Sequence, residues 1–477
     1  MDKLNEECGV FGIFNADEAA LLTTLGLHAL QHRGKEGVGI VTFDGRNFNA
    51  VREQGLVGKT FNKPEAIAKL PGRNAVGHVR YSTTGASVSK NIQPLFADLA
   101  AGGFACAHNG NLINAKTIRK ELIGDGAIFQ STSDTETILQ LVARSRQKLI
   151  KDKLIDALHE IKGAYSLVIL TNKKLIGVRD PYGIRPLVLG DLKGSPVLAS
   201  ETCALDIIGA KYVRDIENGE MIIITKNGIE STKPFPKLKE RPCIFERIYF
   251  SRPDSIIDGK TVYTYRKNLG EQLALENKIK ADVVVPVLDS GVSAGIGFSQ
   301  KSGIPLELGI IRSHYVGRTF IEPTQSIRQL GVKLKHSVNK SCIENKRVVL
   351  IDDSIVRGTT ANKIVKMIFD AGAKEVHLGI GCPPITHPDF YGIDTPNYKE
   401  LIASKNSIKE MTKLIGATSL FFLSLDGTYK AMGYKKRNDK SPQFTDHCFT
   451  GDYPVKPIDI NDDKNNEESL SYLANNY

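Results

Sequence analysis

The chain has 477 residues, 41% of them hydrophobic and 24% charged, with a formal net charge of +10 and seven cysteines. That is enough apolar material for two large domains or about three of ordinary size. No apolar run approaches the roughly eighteen residues a spanning helix needs, residues 1–7 are too acidic for a secretory signal, and cysteines without a CxxC pair argue against a disulfide framework. Such cysteine usage fits a reducing, cytoplasmic setting. The positive charge suits nucleic acid or small phosphorylated ligands equally. The basic residues are scattered without aromatic interleaving, however, and no nucleic-acid-binding motif is present.

In chain order, residues 7–14 read as a short strand and residues 20–31 as a helix, with Leu21, Leu22, Leu25 and Leu30 at helical spacing. A second helix is predicted over 135–149, with a stripe of Ile138, Leu139, Leu141 and Val142, and further strands over 164–170 and 219–224. Residues 233–242 hold three prolines and several basic residues and read as a linker; the segment from there to Ser255 is expected to pack across both domains. Beyond residue 260 the rhythm becomes strand, loop, helix. Apolar strands at 283–287, 348–351 and 376–380 alternate with loops and a helix near 359–371, the pattern of a parallel sheet covered on both faces. Residues 420–425 form a short core segment. From Tyr453 the chain turns polar and reads as a disordered tail.

Five ordered blocks in the first half carry chemistry. They are Cys8 followed by Gly9-Val10-Phe11-Gly12-Ile13, then Gln31-His32-Arg33-Gly34, Gly77-His78-Val79-Arg80-Tyr81-Ser82-Thr83, Ala107-His108-Asn109-Gly110-Asn111-Leu112 and Ser133-Asp134-Thr135-Glu136. Cleavage of the bond between Glu7 and Cys8 would place a thiol and a free α-amine on one residue, and the amine can serve as the base that activates the sulfur. A lone cysteine near a strand is more often a small buried hydrophobe, but the run of blocks resembles the class II (N-terminal nucleophile) glutamine amidotransferases over residues 8–235. The resemblance implies an αββα sandwich and removal of a propeptide, residues 1–7. It implies that Cys8 attacks the side-chain amide of glutamine, with the Asn109 side chain and the Gly110 N–H as oxyanion donors. Arg80 would hold the substrate's α-carboxylate and Asp134 its α-amine. Arg33 and Gly34 take a supporting place in the neighbouring turn. Because the α-amine already supplies a base, His32, His78 and His108 are read as structural.

A second constellation is Val348-Val349-Leu350-Ile351-Asp352-Asp353-Ser354-Ile355-Val356-Arg357-Gly358-Thr359-Thr360, an apolar strand ending in two acids before a loop that opens a helix. An Asp-Asp pair at a strand end is otherwise an ordinary turn or a receiver-type or Walker B acid pair, but no GxxxxGK[ST] loop exists in this chain. The motif resembles the 5-phosphoribosyl 1-diphosphate (PRPP) site of type I phosphoribosyltransferases. Backbone N–H groups and hydroxyls from Ser354 to Thr360 at a helix N-terminus suit a 5′-phosphate. Asp352 and Asp353 stand where ribose hydroxyls and a diphosphate-bound Mg²⁺ need acceptors. By resemblance Ser290 joins them at the Mg²⁺, and the loop around Ser290 and Gly291 cradles the diphosphate. The basic stretch Tyr315-Val316-Gly317-Arg318-Thr319-Phe320-Ile321, with Gln325, Arg328, Lys333 and Lys335, would fold over bound PRPP.

Together the halves resemble the PRPP-dependent glutamine amidotransferase family across nearly the whole chain. Arg179-Asp180-Pro181-Tyr182-Gly183-Ile184-Arg185-Pro186, Ala199-Ser200-Glu201-Thr202 and Tyr249-Phe250-Ser251-Arg252-Pro253-Asp254-Ser255 add to the match. The resemblance implies a glutaminase over 8–235, an interdomain segment over 236–258, a phosphoribosyltransferase over 259–452 and a polar tail over 453–477. It further implies transfer of shielded ammonia to PRPP in the committed step of purine synthesis, a homo-oligomer (a tetramer), inhibition by purine nucleotides, and neither nucleic-acid nor membrane partners. Some relatives hold a [4Fe–4S] cluster on four cysteines. Here Cys243 and Cys448 occupy two of those positions while Asp389 and Thr445 occupy the others, so no cluster is expected. The rival readings are a different class II amidotransferase, disfavoured by the Asp352-Asp353 motif, and a PRPP-sensing regulator, which has no use for the Cys8 blocks.

Overall fold

Strand Gly9–Ile13 is buried along its whole length, because both of its faces carry small or apolar side chains. Val10 faces a core shared with Ala105, Ala107, Val168 and Ile222, whereas Phe11 and Ile13 face one shared with Leu27, Val38 and Val197. Side chains that alternate between two cores require a layer on each side. The computed structural model describes residues 8–81, 89–312, 336–393 and 397–459, and it shows those layers. The expected propeptide, Ser82, Thr83, the basic stretch from Tyr315 to Lys335 and the chain beyond 459 lie outside the described residues.

The first layer is helix Ala19–Ala29, and the second an antiparallel sheet of seven strands. Its order is Lys211–Asp215, Val188–Leu192, Ser195–Ala199, Gly9–Ile13, Asn74–Arg80, Gly37–Phe43 and Phe48–Gln54. A six-stranded antiparallel sheet stacks on it through the Val10 core, with Gly102–Leu112 and Gly163–Thr171 as adjacent strands. Helices Ala115–Gly124, Thr135–Arg144 and Ile150–Glu160 cover its other face through Ile118, Ile138, Val142 and Leu154. This is the αββα sandwich. Each fully buried aliphatic side chain contributes about 1.5–3 kcal/mol, so the layers are held mainly by these three apolar cores.

The predicted 135–149 helix ends at Arg144. Ser145 is extended and donates its hydroxyl to Asp156 of the next helix at 2.6 Å, which turns the chain into Ile150–Glu160. That second helix has its own stripe of Leu154, Ala157 and Leu158.

The second half contains a parallel sheet in the order Val283–Pro286, Arg347–Asp352, Glu375–Ile380 and Ser419–Phe422. Helices Val292–Ser302, Thr359–Asp370 and Ile408–Ile415 pack against it. No helix among the described residues is long and apolar enough to cross a membrane. All seven cysteines are free thiols.

The sequence marks a disordered tail from Tyr453, but residues 453–459 are packed. The Tyr453 hydroxyl donates to the Pro388 carbonyl at 2.7 Å, and the Asp459 carboxylate accepts from the Lys116 N–H at 2.7 Å and the Thr117 hydroxyl at 2.7 Å. The exposed donors at the start of helix Ala115–Gly124 need acceptors, and a distant carboxylate supplies them.

The segment between the halves is a structural joint. Cys243, Ile244, Phe245 and Ile248 share one core with Ile113 and Ala164 of the sandwich and with the parallel sheet. At its centre is Glu246, 3% exposed, whose carboxylate pairs with two buried guanidiniums of the sandwich, Arg33 and Arg185. Arg33 also meets Glu201 at 2.6 Å, and Glu201 accepts from the Ser255 hydroxyl at 2.6 Å and the Arg252 N–H at 2.8 Å. Burial alone would lower the basicity of Arg33; the two carboxylates reverse that and raise it. Removing one partner of a buried pair leaves an uncompensated charge. Glu246→Ala should therefore lower the unfolding free energy by about 3–5 kcal/mol, measured by urea denaturation. A loss within the range of an exposed ion pair would show that the joint does not depend on this carboxylate.

Candidate functional site

Cys8 immediately precedes the central strand of the seven-stranded sheet and is 7% exposed. Its thiol donates to the Tyr81 carbonyl at 3.5 Å. Strand pairing sets Gly9 opposite Val79, and Arg80 is the last residue of that neighbouring strand, so the register brings Arg80 beside the cysteine. Asp134 approaches from the second sheet as the N-cap of helix Thr135–Arg144, accepting from the Thr135 N–H at 2.8 Å and the Leu112 N–H at 3.0 Å. Arg80 and Asp134 are both buried, at 4% and 7% exposure.

Burial pushes the Cys8 thiol up to about 11; the Tyr81 carbonyl hydrogen bond and the Arg80 charge pull it down, while Asp134 and Glu36 add to the rise. Burial would likewise raise the Asp134 carboxyl, but His108 and the two backbone donors outweigh it and hold it low. Asp134 thus remains a carboxylate beside a buried thiol that burial keeps protonated at neutral pH.

Asn109 and Gly110 lie on strand Gly102–Leu112, opposite Ser166 and Tyr165. The Asn109 amide is fully buried and points its nitrogen at the Ser200 hydroxyl, 3.5 Å away, which also accepts from the Val10 N–H at 3.0 Å. Ser200 therefore touches both the nucleophile's strand and the Asn109 amide. Sequence reading quoted its block without assigning it a role. Each histidine has a polar contact of its own, and His108 also lies 3.7 Å from the Asp134 carboxylate. His32 meets Glu201 at 2.7 Å, His78 faces the His108 carbonyl at 3.0 Å, and His108 meets the Thr135 hydroxyl at 3.2 Å.

In the second half, strand Arg347–Asp352 delivers both acids to the end of the parallel sheet. The Ser290 hydroxyl donates to Asp352 at 3.1 Å, the Asp353 N–H donates to Asp352 at 3.0 Å, and the Ser354 hydroxyl donates to Asp353 at 2.6 Å. Gly291 lies against the Ile351 carbonyl, so the Ser290–Gly291 loop reaches the acid pair. Ile355 and Val356 are buried under the loop, and Arg357 bonds Glu400 at 2.7 Å. Gly358 caps helix Thr359–Asp370, where Thr359 is exposed and Thr360 half-buried. Oxygen donors at Ser290, Asp352 and Asp353 form a hard, half-complete set that suits Mg²⁺ sharing a phosphorylated ligand. Among the described residues no group of three or more His, Cys, Asp or Glu could hold a metal by itself.

The four positions of the suspected cluster come together. Cys243 bridges Thr445, Asp389 lies 2.8 Å from His447, and burial pushes the Cys243 thiol up to about 11. The Asp389 carboxylate is committed to His447 and to the N–H groups of Tyr391 and Ile393, and the Thr445 hydroxyl donates to the Arg241 carbonyl. This donor set does not fit an iron–sulfur cluster.

Comparison with known proteins covers both halves. Residues 78–206 match the glutamine amidotransferase domain family, and residues 264–386 match the phosphoribosyl transferase domain family. The chain is 57% identical over its full length to the amidophosphoribosyltransferase of Rhizobium etli, covering 97% of that protein. It is 49% identical to the amidophosphoribosyltransferase of Bacillus subtilis, covering 95% of each chain. The solved structure of the Bacillus subtilis glutamine PRPP amidotransferase with ADP and GMP superposes with a TM-score of 0.89 at 48% identity, over 94% of this chain and 98% of that one.

The buried histidine beneath the pocket yields a pH signature. Burial, with Arg80 and His108 adding to it against the His108 carbonyl bond and Asp134, lowers His78 from its ordinary 6.5 to about 3. Between those values the unfolded chain binds the proton that the folded one refuses, so the stability is complete above pH 6.5 and drains away as pH falls toward 3. The wild type should lose up to about 1.4 kcal/mol per pH unit more than His78→Gln across that window, measured by urea unfolding at pH 4, 5, 6 and 7. Parallel pH profiles would refute the assignment.

Proposed function

The chain belongs to the amidophosphoribosyltransferase family, and from that premise we propose that its two sites divide one reaction, Cys8 releasing ammonia and the loop after Asp352 holding PRPP. The enzyme converts glutamine, PRPP and water into 5-phosphoribosylamine, glutamate and diphosphate, the first step of purine biosynthesis. The observation that supports the division is that Arg80 and Asp134, both buried, act on the buried Cys8 thiol, while Ser290 and the two acids of the second half bond to one another.

A glutamine side chain enters that pocket with its α-carboxylate on Arg80, whose planar fork suits it, and its α-amine on Asp134. Cleavage before Cys8 frees the α-amine, which takes the thiol proton that burial holds in place. The thiolate adds to the amide carbon, and the oxyanion is met by the Asn109 amide and the Gly110 N–H. Collapse to the thioester expels ammonia with the proton returned from the amine, and water then releases glutamate. Ammonia reaches C1 of PRPP by a shielded route, since in water it would be mostly non-nucleophilic ammonium, and displaces diphosphate.

Ser354 to Thr360 hold the 5′-phosphate at a helix N-terminus. Asp352 and Asp353 hold the ribose hydroxyls, Ser290 and Gly291 the diphosphate, and Ser290 with the two acids would hold Mg²⁺, which when bound neutralises charge on the leaving diphosphate. We assign the glutaminase to residues 8–235, the joint to 236–258 and the transferase to 259–452. We further propose a cytoplasmic homo-oligomer, a tetramer, inhibited by purine nucleotides and lacking an iron–sulfur cluster.

Cys8→Ala should abolish glutamine-dependent synthesis while leaving ammonia-dependent synthesis intact. Asn109→Ala should lower glutamine-dependent kcat by about 10²–10³-fold. Intact mass of the active protein should show residues 1–7 removed. Activity in a preparation that retains its initiator methionine would overturn the role of the α-amine, and loss of both activities in Cys8→Ala would overturn the division between sites.

A further inference from the structure

Gly110, read above as an oxyanion donor, is gripped from two sides. At φ +139° it lies against strand Gly163–Thr171, where a methyl group on it would stand 2.0 Å from the Ala164 carbonyl oxygen. On its other side is a turn from the second half of the chain, residues 389–393. A methyl group on Gly392, at φ +118°, would stand 3.1 Å from both the Cα and the carbonyl carbon of Gly110. Two backbones meet here with no side chain between them, and only glycine permits both the conformations and the approach.

Two side chains of the sandwich fasten this turn to it. The Asn111 amide donates to the Phe390 carbonyl at 2.9 Å, and Arg185 Nε donates to the Tyr391 carbonyl at 3.0 Å. Asp389 shapes the turn from within. One carboxylate oxygen accepts from the Tyr391 N–H at 2.6 Å and the Ile393 N–H at 3.0 Å, and the other lies 2.8 Å from His447 Nε2. The His447 ring is boxed by Tyr391 and Tyr453, with centroids 5.1 Å and 4.7 Å away. Both members of the pair are buried, at 6% and 1% exposure.

We propose that this turn is the back wall of the oxyanion hole, and that Gly392 and Asp389 are positioning residues for the glutaminase step although both belong to the other half of the chain. The inference rests on Gly110 being an oxyanion donor. Donors for a developing charge must hold their place to within a fraction of an ångström, and close-packed backbone transmits a displacement rather than absorbing it. Arg80 and Asp134, which would bind the ground-state substrate, lie on other elements, at the end of strand Asn74–Arg80 and at the N-cap of helix Thr135–Arg144. A shifted Gly110 therefore weakens transition-state binding without weakening glutamine binding.

The test uses the full-length, processed enzyme with Gly392→Ala and Asp389→Asn, comparing glutamine-dependent and ammonia-dependent synthesis in the same preparations. Gly392→Ala should lower glutamine-dependent kcat by about 10–100-fold, with the glutamine KM within about two-fold and ammonia-dependent kcat unchanged. Asp389→Asn, nearly isosteric, should give the same split at about 5–10-fold and decides the case where Gly392→Ala does not fold. Unchanged glutamine-dependent kcat in a folded variant overturns the proposal. So does loss of both activities in proportion, or a rise in KM at constant kcat, because a merely structural role would act that way. An unaffected Asn109→Ala would instead overturn the oxyanion assignment on which the proposal stands.

Discussion

Two buried arginines of the sandwich, Arg33 and Arg185, share a carboxylate, Glu246, that the sandwich does not itself contain. A guanidinium in a buried interior is costly without a charge partner, and the connecting segment supplies one to both arginines. The same segment donates the Ser255 hydroxyl and the Arg252 N–H to Glu201, and it receives Arg266 of helix Val262–Glu276 on the Ser251 carbonyl at 2.7 Å. Charge satisfaction therefore runs unbroken from the turn beside Cys8 to the first helix of the transferase half. The sandwich thus shares buried charge partners with the connecting segment.

What could be read from the sequence follows from where each constraint lives. Cys8, Arg80, Asn109, Gly110 and Asp134 could be singled out because each sits in a short block of residues, and the structure buries Cys8, Arg80, Asn109 and Asp134. The acid pair at Asp352 was legible because an apolar strand, two acids and a glycine before a helix form a local pattern. Glu246 and Arg185 were not, since in sequence they look like ordinary charges in a linker and a turn, and their burial is set by residues far away in the chain. Residues 453–459 read as disordered for the same reason: their polarity suggests solvent, whereas the structure spends it on capping helix Ala115–Gly124 and bonding Pro388. Helix Ile150–Glu160 was within reach, its apolar stripe being local; the error lay in running the preceding helix through Ser145.

The two sites differ in how much of their work is done before a ligand arrives. Around Cys8 the polar partners are buried and already oriented, with Asp134 held by two backbone donors and Asn109 by Ser200. At the acid pair, Asp352 and Asp353 are buried too, but the hydroxyls around them are not: Ser290, Ser354 and Thr360 are half-buried and Thr359 is exposed. A ligand carrying several phosphate charges brings its own counter-ions and water to such a site, so a dry, closed cradle would cost desolvation on both partners. A glutamine amide brings no net charge to its reacting end, and its oxyanion is stabilised best where water is excluded and donors are fixed beforehand.

Burial around Cys8 bears directly on where a base for its thiol could come from. Burial pushes the Cys8 thiol up to about 11, so its surroundings favour the neutral thiol. The nearby ring of His78 is no substitute, because the same burial drops it to about 3 and leaves it too weak a base at neutral pH. Arg80 lowers the thiol somewhat, but its charge is balanced by Asp134 close by. In the proposed mechanism the base is the α-amine that cleavage before Cys8 would expose on the same residue. It needs no second buried ionisable side chain, and its ordinary value near 8 lies where proton transfer to and from sulfur and nitrogen is balanced at physiological pH. The buried thiol and the proposed base on the nucleophile's own residue thus answer to one electrostatic requirement.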